Sequence, residues 1–134
     1  MLSDYLVINF DKELLHRILI SKVVIPSRQK KLIQEKGLYL KLYHVVYKKT
    51  LHGDIEYRYY GKYWYKVTYH KNKRKLIYMG HFIPEDLGIQ LVVPIEGFSF
   101  VAYRFKKTPI FIKRNVYLSF SELLESLGII PKKT

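Results

Sequence analysis

The chain contains no cysteine, which excludes disulfides and zinc sites built on thiolates. It holds no apolar run near the roughly 18 residues that a membrane-spanning helix requires. The stretch "MLSDYLVINFDKELL" is acidic early and breaks its apolar run quickly, which reads against a secretory signal; a cytoplasmic protein is expected. Asn and Gln are scarce, three of each. With frequent Lys, Tyr and Ile this fits a thermophile's avoidance of labile residues, and low-GC coding gives the same bias. His16, His44, His52, His70 and His81 show neither His-x-His nor His-x-x-x-His spacing, so no metal site is signalled. There is no serine elbow, Walker loop or dinucleotide fingerprint. The expectation is a non-enzyme without cofactor or metal.

Acid is the scarcest charge. Against 24 Lys and Arg there are 11 Asp and Glu, a formal net charge of +13. Between Lys22 and Lys75 lie 15 basic residues and three acids (Glu35, Asp54 and Glu56). The remainder is close to neutral. A localised basic field attracts polyanions and speeds association with them. Nucleic acid is the commonest such partner; an acidic protein or an anionic lipid surface is the alternative, and no membrane association is expected.

The chain of 134 residues is long enough for one domain with its own core. Asn9 is placed to cap a short helix over about residues 10–20, striped by Leu14, Leu15, Ile18 and Leu19. "SKVVIP" reads as a strand ended by Pro26. A basic helical turn follows, "SRQKKLIQEKG", with Gly37 as its stop. "LYLKLYHVVYKK", "EYRYYGKYWYKVTYH", "KLIYMGHF", "IQLVVPI", "FSFVAYRF" and "PIFIKRNVYL" are rich in β-branched and aromatic residues and read as strands. "SFSELLESLG" closes as a helix, with Ser119 and Glu122 at capping-box spacing and Gly128 as the stop. "IPSRQKKLIQEKGLYLKLY" and "IPEDLGIQLVVPIEGFSFVAY" form a faint internal repeat. The expected fold is α+β and mostly β: a small twisted antiparallel sheet or partly open barrel with short N- and C-terminal helices. Residues 1–134 form one domain, containing a basic strand-turn-strand segment, 21–49, and a basic aromatic hairpin, 56–82.

Within that hairpin, "YYGKYWYKVTYHKNKRKLIYMG" holds six tyrosines, one tryptophan and six Lys or Arg. Alternation puts Tyr63, Tyr65, Val67 and Tyr69 on one face and Trp64, Lys66, Thr68 and His70 on the other. The turn carrying Lys71, Lys73, Arg74 and Lys75 is short and free of acid, and it suits phosphate contacts. A two-stranded ribbon also fits the major groove of DNA. Trp64, sharing a face with Lys66 and His70, is the ring expected to stack a base. The other rings are expected to build the sheet's core and cross-strand pairs. Read blandly, the tip is a solvated turn. Asp54 and Glu56 share a strand face and could hold Mg²⁺ with another carboxylate such as Glu85 or Asp86. The simpler reading is a surface charge pair balancing Arg58 and Lys62.

"SKVVIPSRQKKLIQEKGLYLKLY" resembles the SpoVT/AbrB family of small DNA-binding regulators. Lys22 to Pro26 match its opening strand, and Gly37 with Leu38 to Tyr43 match its return strand. The resemblance implies a homodimer with swapped hairpins whose basic residues lie on duplex DNA; Lys22, Arg28, Lys30 and Lys31 take those places here. Ser21 departs from the family's usual Gly, and "LIQEKG" lacks its Leu-Gly. "EYRYYGKYWYKVTYHKNKRKLIYMG" resembles an N-terminal module of the integrases of spindle-shaped crenarchaeal viruses. Gly61, Lys62, Tyr63, Tyr65, Lys73, Lys75, Tyr78 and Gly80 carry the match; the integrase catalytic domain has no counterpart. This implies an archaeal viral or plasmid origin and action in the host cytoplasm. Together these readings point to a small nucleic-acid-binding protein that could act in regulation, with duplex DNA the expected partner. The residues expected at the interface are Lys22, Arg28, Lys30, Lys31, Lys62, Trp64, Lys66, Lys71, Lys73, Arg74 and Lys75. A protein-interaction module, such as a viral inhibitor or virion component, is the alternative; a metal-dependent nuclease using Asp54 and Glu56 is the third.

Overall fold

Asp11, not Asn9, starts the first helix. Its carboxylate accepts the backbone N–H groups of Glu13 at 2.8 Å and Leu14 at 3.1 Å, satisfying two donors that a helix start leaves open. The computed structural model describes residues 4–131. Within them α1 (Lys12–Ser21) follows a short strand, β1 (Tyr5–Ile8). The sequence pattern does not announce β1, because four residues carry too little alternation to register.

Pro26 precedes α2 (Ser27–Glu35), and Gly37, at φ +68, ends it in the left-handed region that glycine enters without strain. Then come β2 (Leu38–Thr50), β3 (Gly53–His70) and β4 (Lys73–Gly80). A 3-10 turn at Glu85–Leu87 opens a long irregular stretch that leads to β5 (Ser99–Tyr103) and β6 (Ile110–Lys113). α3 (Arg114–Ser119) and α4 (Ser121–Ser126) finish the fold.

Two expected strands are absent. Residues 23–26 connect α1 to α2 without joining the sheet, Val23 packing against the core. "IQLVVPI" is irregular; Pro94 cannot donate to a ladder, and the run instead buries Val93 and Ile95. The expected capping box is not formed either. The Ser119 hydroxyl donates to the Asn115 carbonyl at 3.0 Å, and the helix breaks at Phe120.

The architecture is the mostly-β α+β fold expected: a six-stranded antiparallel sheet that stays open rather than closing into a barrel. The order is β1-β6-β5-β3-β2, with β4 joined to β3. β3 is the spine. Its residues 53–66 pair with β2, while its other edge pairs first with β5 over residues 55–59 and then with β4 over 64–70. Even-numbered β3 residues face the helices. Tyr60 joins Leu15 and Leu19 of α1, Tyr117 of α3, Leu124 of α4, and Phe98, Phe100, Ile110 and Ile112 in the main core. Farther along, Trp64 enters a second, smaller core with Ile33 of α2, Leu38 and residues 83–91. The helices therefore cover one face of the sheet, and the odd-numbered face of β3 is left open. No helix among the described residues is long and apolar enough to cross a membrane.

Candidate nucleic-acid interface

β3 and β4 meet in a two-residue turn. Lys71 at φ 50 and Asn72 at φ 64 are both left-handed, and His70 pairs with Lys73, as a type I′ turn demands. Residues 71–79 are exposed throughout. Alternation then divides the basic cluster. Arg74 stands opposite Tyr69 on the open face, whereas Lys73 and Lys75 stand opposite His70 and Thr68 on the helix side.

The open face is a field of rings. Tyr5, Tyr39, Tyr57, Tyr59, Tyr63, Tyr65, Tyr69, Tyr78 and Tyr103 lie on it by register. Nine of the chain's 13 tyrosines thus occupy one surface, a concentration that core-building does not require. Tyr65 bridges Tyr39 at 6.2 Å and Tyr78 at 5.4 Å across three strands. Tyr57 and Tyr59 stack at 6.4 Å with an interplanar angle of 11°, and Tyr103 meets Phe111 edge-on at 5.7 Å. Tyr63 is covered, held between His44 at 5.6 Å and His81 at 4.8 Å. A shallow depression of about 370 Å³ opens beside Tyr5, Tyr57, Val101, Tyr103 and Phe111, rimmed by Thr50 and His52.

Cations sit over these rings. Lys48 lies 5.2 Å from the Tyr57 centroid, Arg74 5.4 Å from Tyr39, Lys106 5.3 Å from Tyr103 and Lys113 6.0 Å from Tyr5. No strand position on this face is Asp or Glu. Two acids border it. Asp4 precedes β1; Glu96 lies beside Gly61 and pairs with Lys62 at 3.6 Å. Burial, then the neighbouring Tyr57 and Asp4, raise the Tyr5 pKa; burial likewise raises that of Tyr63. Both rings stay neutral at physiological pH.

The residues expected from sequence do not form one patch. Arg28, Lys30 and Lys31 are on α2, and Lys22 caps α1 at its C-terminus; these helices lie behind the sheet. Lys66, Lys73 and Lys75 point to that same side, Arg74 to the other. Lys62 is tied to Glu96 and donates to the Leu91 carbonyl at 3.4 Å. The expectation for Trp64 requires correction. Its face is the one foreseen, shared with Lys66 and His70, but α2 and residues 83–91 cover it there, leaving the ring 2% exposed and unable to stack a base. On β3 and β4 the rings most open to solvent are tyrosines, Tyr69 at 71% and Tyr78 at 51%.

The expected surface pairing of Glu56 is also corrected. Glu56 is 2% exposed and accepts hydrogen bonds from Lys12 and from Arg58. Lys12, itself buried, also donates to the Tyr103 and Arg104 carbonyls, both at 2.7 Å. Arg58 reaches on to Glu13 at 2.5 Å. Burial opposes the Arg58 charge, but its bonds to Glu13 and the charge of Glu56 outweigh it and raise the pKa. The Glu13 carboxyl, hydrogen-bonded by Arg58, is held below its ordinary value. Both Glu56 oxygens are thus engaged by Lys12 and Arg58 inside the fold. Among the described residues no group of three or more His, Cys, Asp or Glu could hold one. This network anchors α1 to the sheet.

No family model, curated protein or solved structure matches the chain. Its functional reading therefore rests on this geometry.

Proposed function

We propose that this is a small, non-enzymatic nucleic-acid-binding protein whose contact surface is the open sheet face, continued by the basic tip of the β3–β4 hairpin. One observation carries the reading: four cations placed over the tyrosines of a face with no acidic strand position. Phosphates supply the missing negative charge, and release of their counterions drives association. The exposed tip sets Arg74 on that face, and Lys71, Lys73 and Lys75 beside it strengthen its positive field.

Binding to oligonucleotides measured over a salt series tests this. The wild-type affinity falls steeply as salt rises. Replacing the four tip cations by Gln lowers affinity and flattens the slope of log affinity against log salt by about 0.7–0.9 for each phosphate that is no longer neutralised. An unchanged slope removes the tip from the interface. If no oligonucleotide binds even at low salt, while an acidic protein does, the surface is a protein-docking one.

A further inference from the structure

If nucleic acid is the partner, as proposed above, the spacing of the open rings bears on the form of its strand. Alternate residues of a β-strand stand about 6.6–6.8 Å apart. That is twice the ~3.4 Å step between stacked bases along one strand of a duplex. Tyr57, Tyr59, Tyr65 and Tyr69 all lie on the open side of β3; Gly61 and Val67 leave gaps, and Tyr63 is covered by His81. Rings at this spacing cannot meet every base of a stacked strand one to one, but they match a strand whose bases have been drawn apart to about twice that step. A duplex, moreover, offers base edges in its grooves, whereas an aromatic side chain stacks on a base's flat face.

We propose that the open sheet face holds an extended single strand, its unpaired bases resting on the tyrosines of β3 and their neighbours Tyr39 and Tyr78. Lys48, Arg74, Lys106 and Lys113, each already poised beside a tyrosine, meet the phosphates. This departs from the duplex that the sequence suggests. A second copy of the chain is a poor occupant, since face against face would set four cations against four with no strand carboxylate to pair them. An acidic protein would satisfy the cations but has no need of a row of open rings.

Fluorescence anisotropy with labelled oligo(dT) or oligo(U), a duplex of equal length and an abasic strand of the same charge tests the inference. The single strand binds at least about tenfold tighter than the abasic strand or the duplex. Tyr69→Thr with Tyr78→Thr weakens oligo(dT) binding by about 5- to 100-fold and leaves the abasic strand unaffected. Phenylalanine at both positions restores it. Circular dichroism shows that the variants keep the fold, which is expected because both rings are more than half exposed. If the abasic strand binds as tightly as oligo(dT), or the duplex binds tighter than either, while the tip variant still loses affinity, stacking is refuted and the nucleic-acid reading stands. Absence of binding to all three probes at low salt overturns both.

Discussion

Glu56 and His16 show how much of this small protein's stability depends on single side chains. Glu56 is buried between Lys12 and Arg58, and removing one member of a buried charged group strands the rest. Glu56→Ala is expected to cost about 3–5 kcal/mol, much of the roughly 5–15 kcal/mol that holds a domain together; urea unfolding measures it, and a loss below about 1 kcal/mol would contradict the buried network. His16 lies under Tyr43 and Tyr60, its Nδ1 2.8 Å from the Tyr60 hydroxyl. Burial, then Arg58, lowers its pKa from 6.5, while Glu13 partly offsets them. Below that ordinary value the unfolded chain takes up a proton that the folded chain does not, so stability falls with pH from 6.5 down through the folded pKa. Glu13 and Asp11, also lowered, add their loss only below about pH 4.5. Unfolding midpoints measured between pH 7 and pH 5 therefore decline for the wild type, and His16→Gln removes most of that slope.

At the scale of elements, the β3–β4 turn is the place to separate shape from charge. Lys71 and Asn72 both hold positive φ, a conformation glycine adopts freely and other residues adopt at about 1–2 kcal/mol. Asn72→Gly should raise stability by about 0.5–1 kcal/mol and leave nucleic-acid affinity unchanged, because every cation remains; weaker binding would make the Asn72 side chain part of the interface. The sheet was legible from sequence where alternation ran long, as in β2 and β3, and where glycine or proline punctuated it, as at Gly37. It was illegible where apolar runs were short. "IQLVVPI" carries strand-forming residues, yet tertiary packing uses them to close the core, and β1 is only four residues. Alternation also assigned Trp64 to its correct face. What it could not show was which stretch of that face a helix covers, so the buried ring looked available and the exposed tyrosines looked structural. Extending the odd-numbered series back from Tyr63 to Tyr59 and Tyr57 is the one signal that could have exposed the ring field.

At the scale of the whole molecule, the sheet is aromatic on its bare side, and among the described residues its edges are covered by no other strand. Among the described residues β1 pairs only with β6, β2 only with β3 and β4 only with β3. Such edges invite further strands, and lysine is a common guard against them. Here Lys41, Lys48 and Lys49 are spaced along β2, and Lys73, Arg74 and Lys75 along β4. The basic excess thus has a second consequence, for colloidal behaviour. Mutual repulsion keeps copies dispersed, and a polyanion that neutralises it removes the guard. Titrating the protein with a long single strand should make light scattering rise to a maximum near charge balance, then fall as excess strand recharges the particles. Saturation without such a maximum would show that repulsion is not what keeps the copies apart.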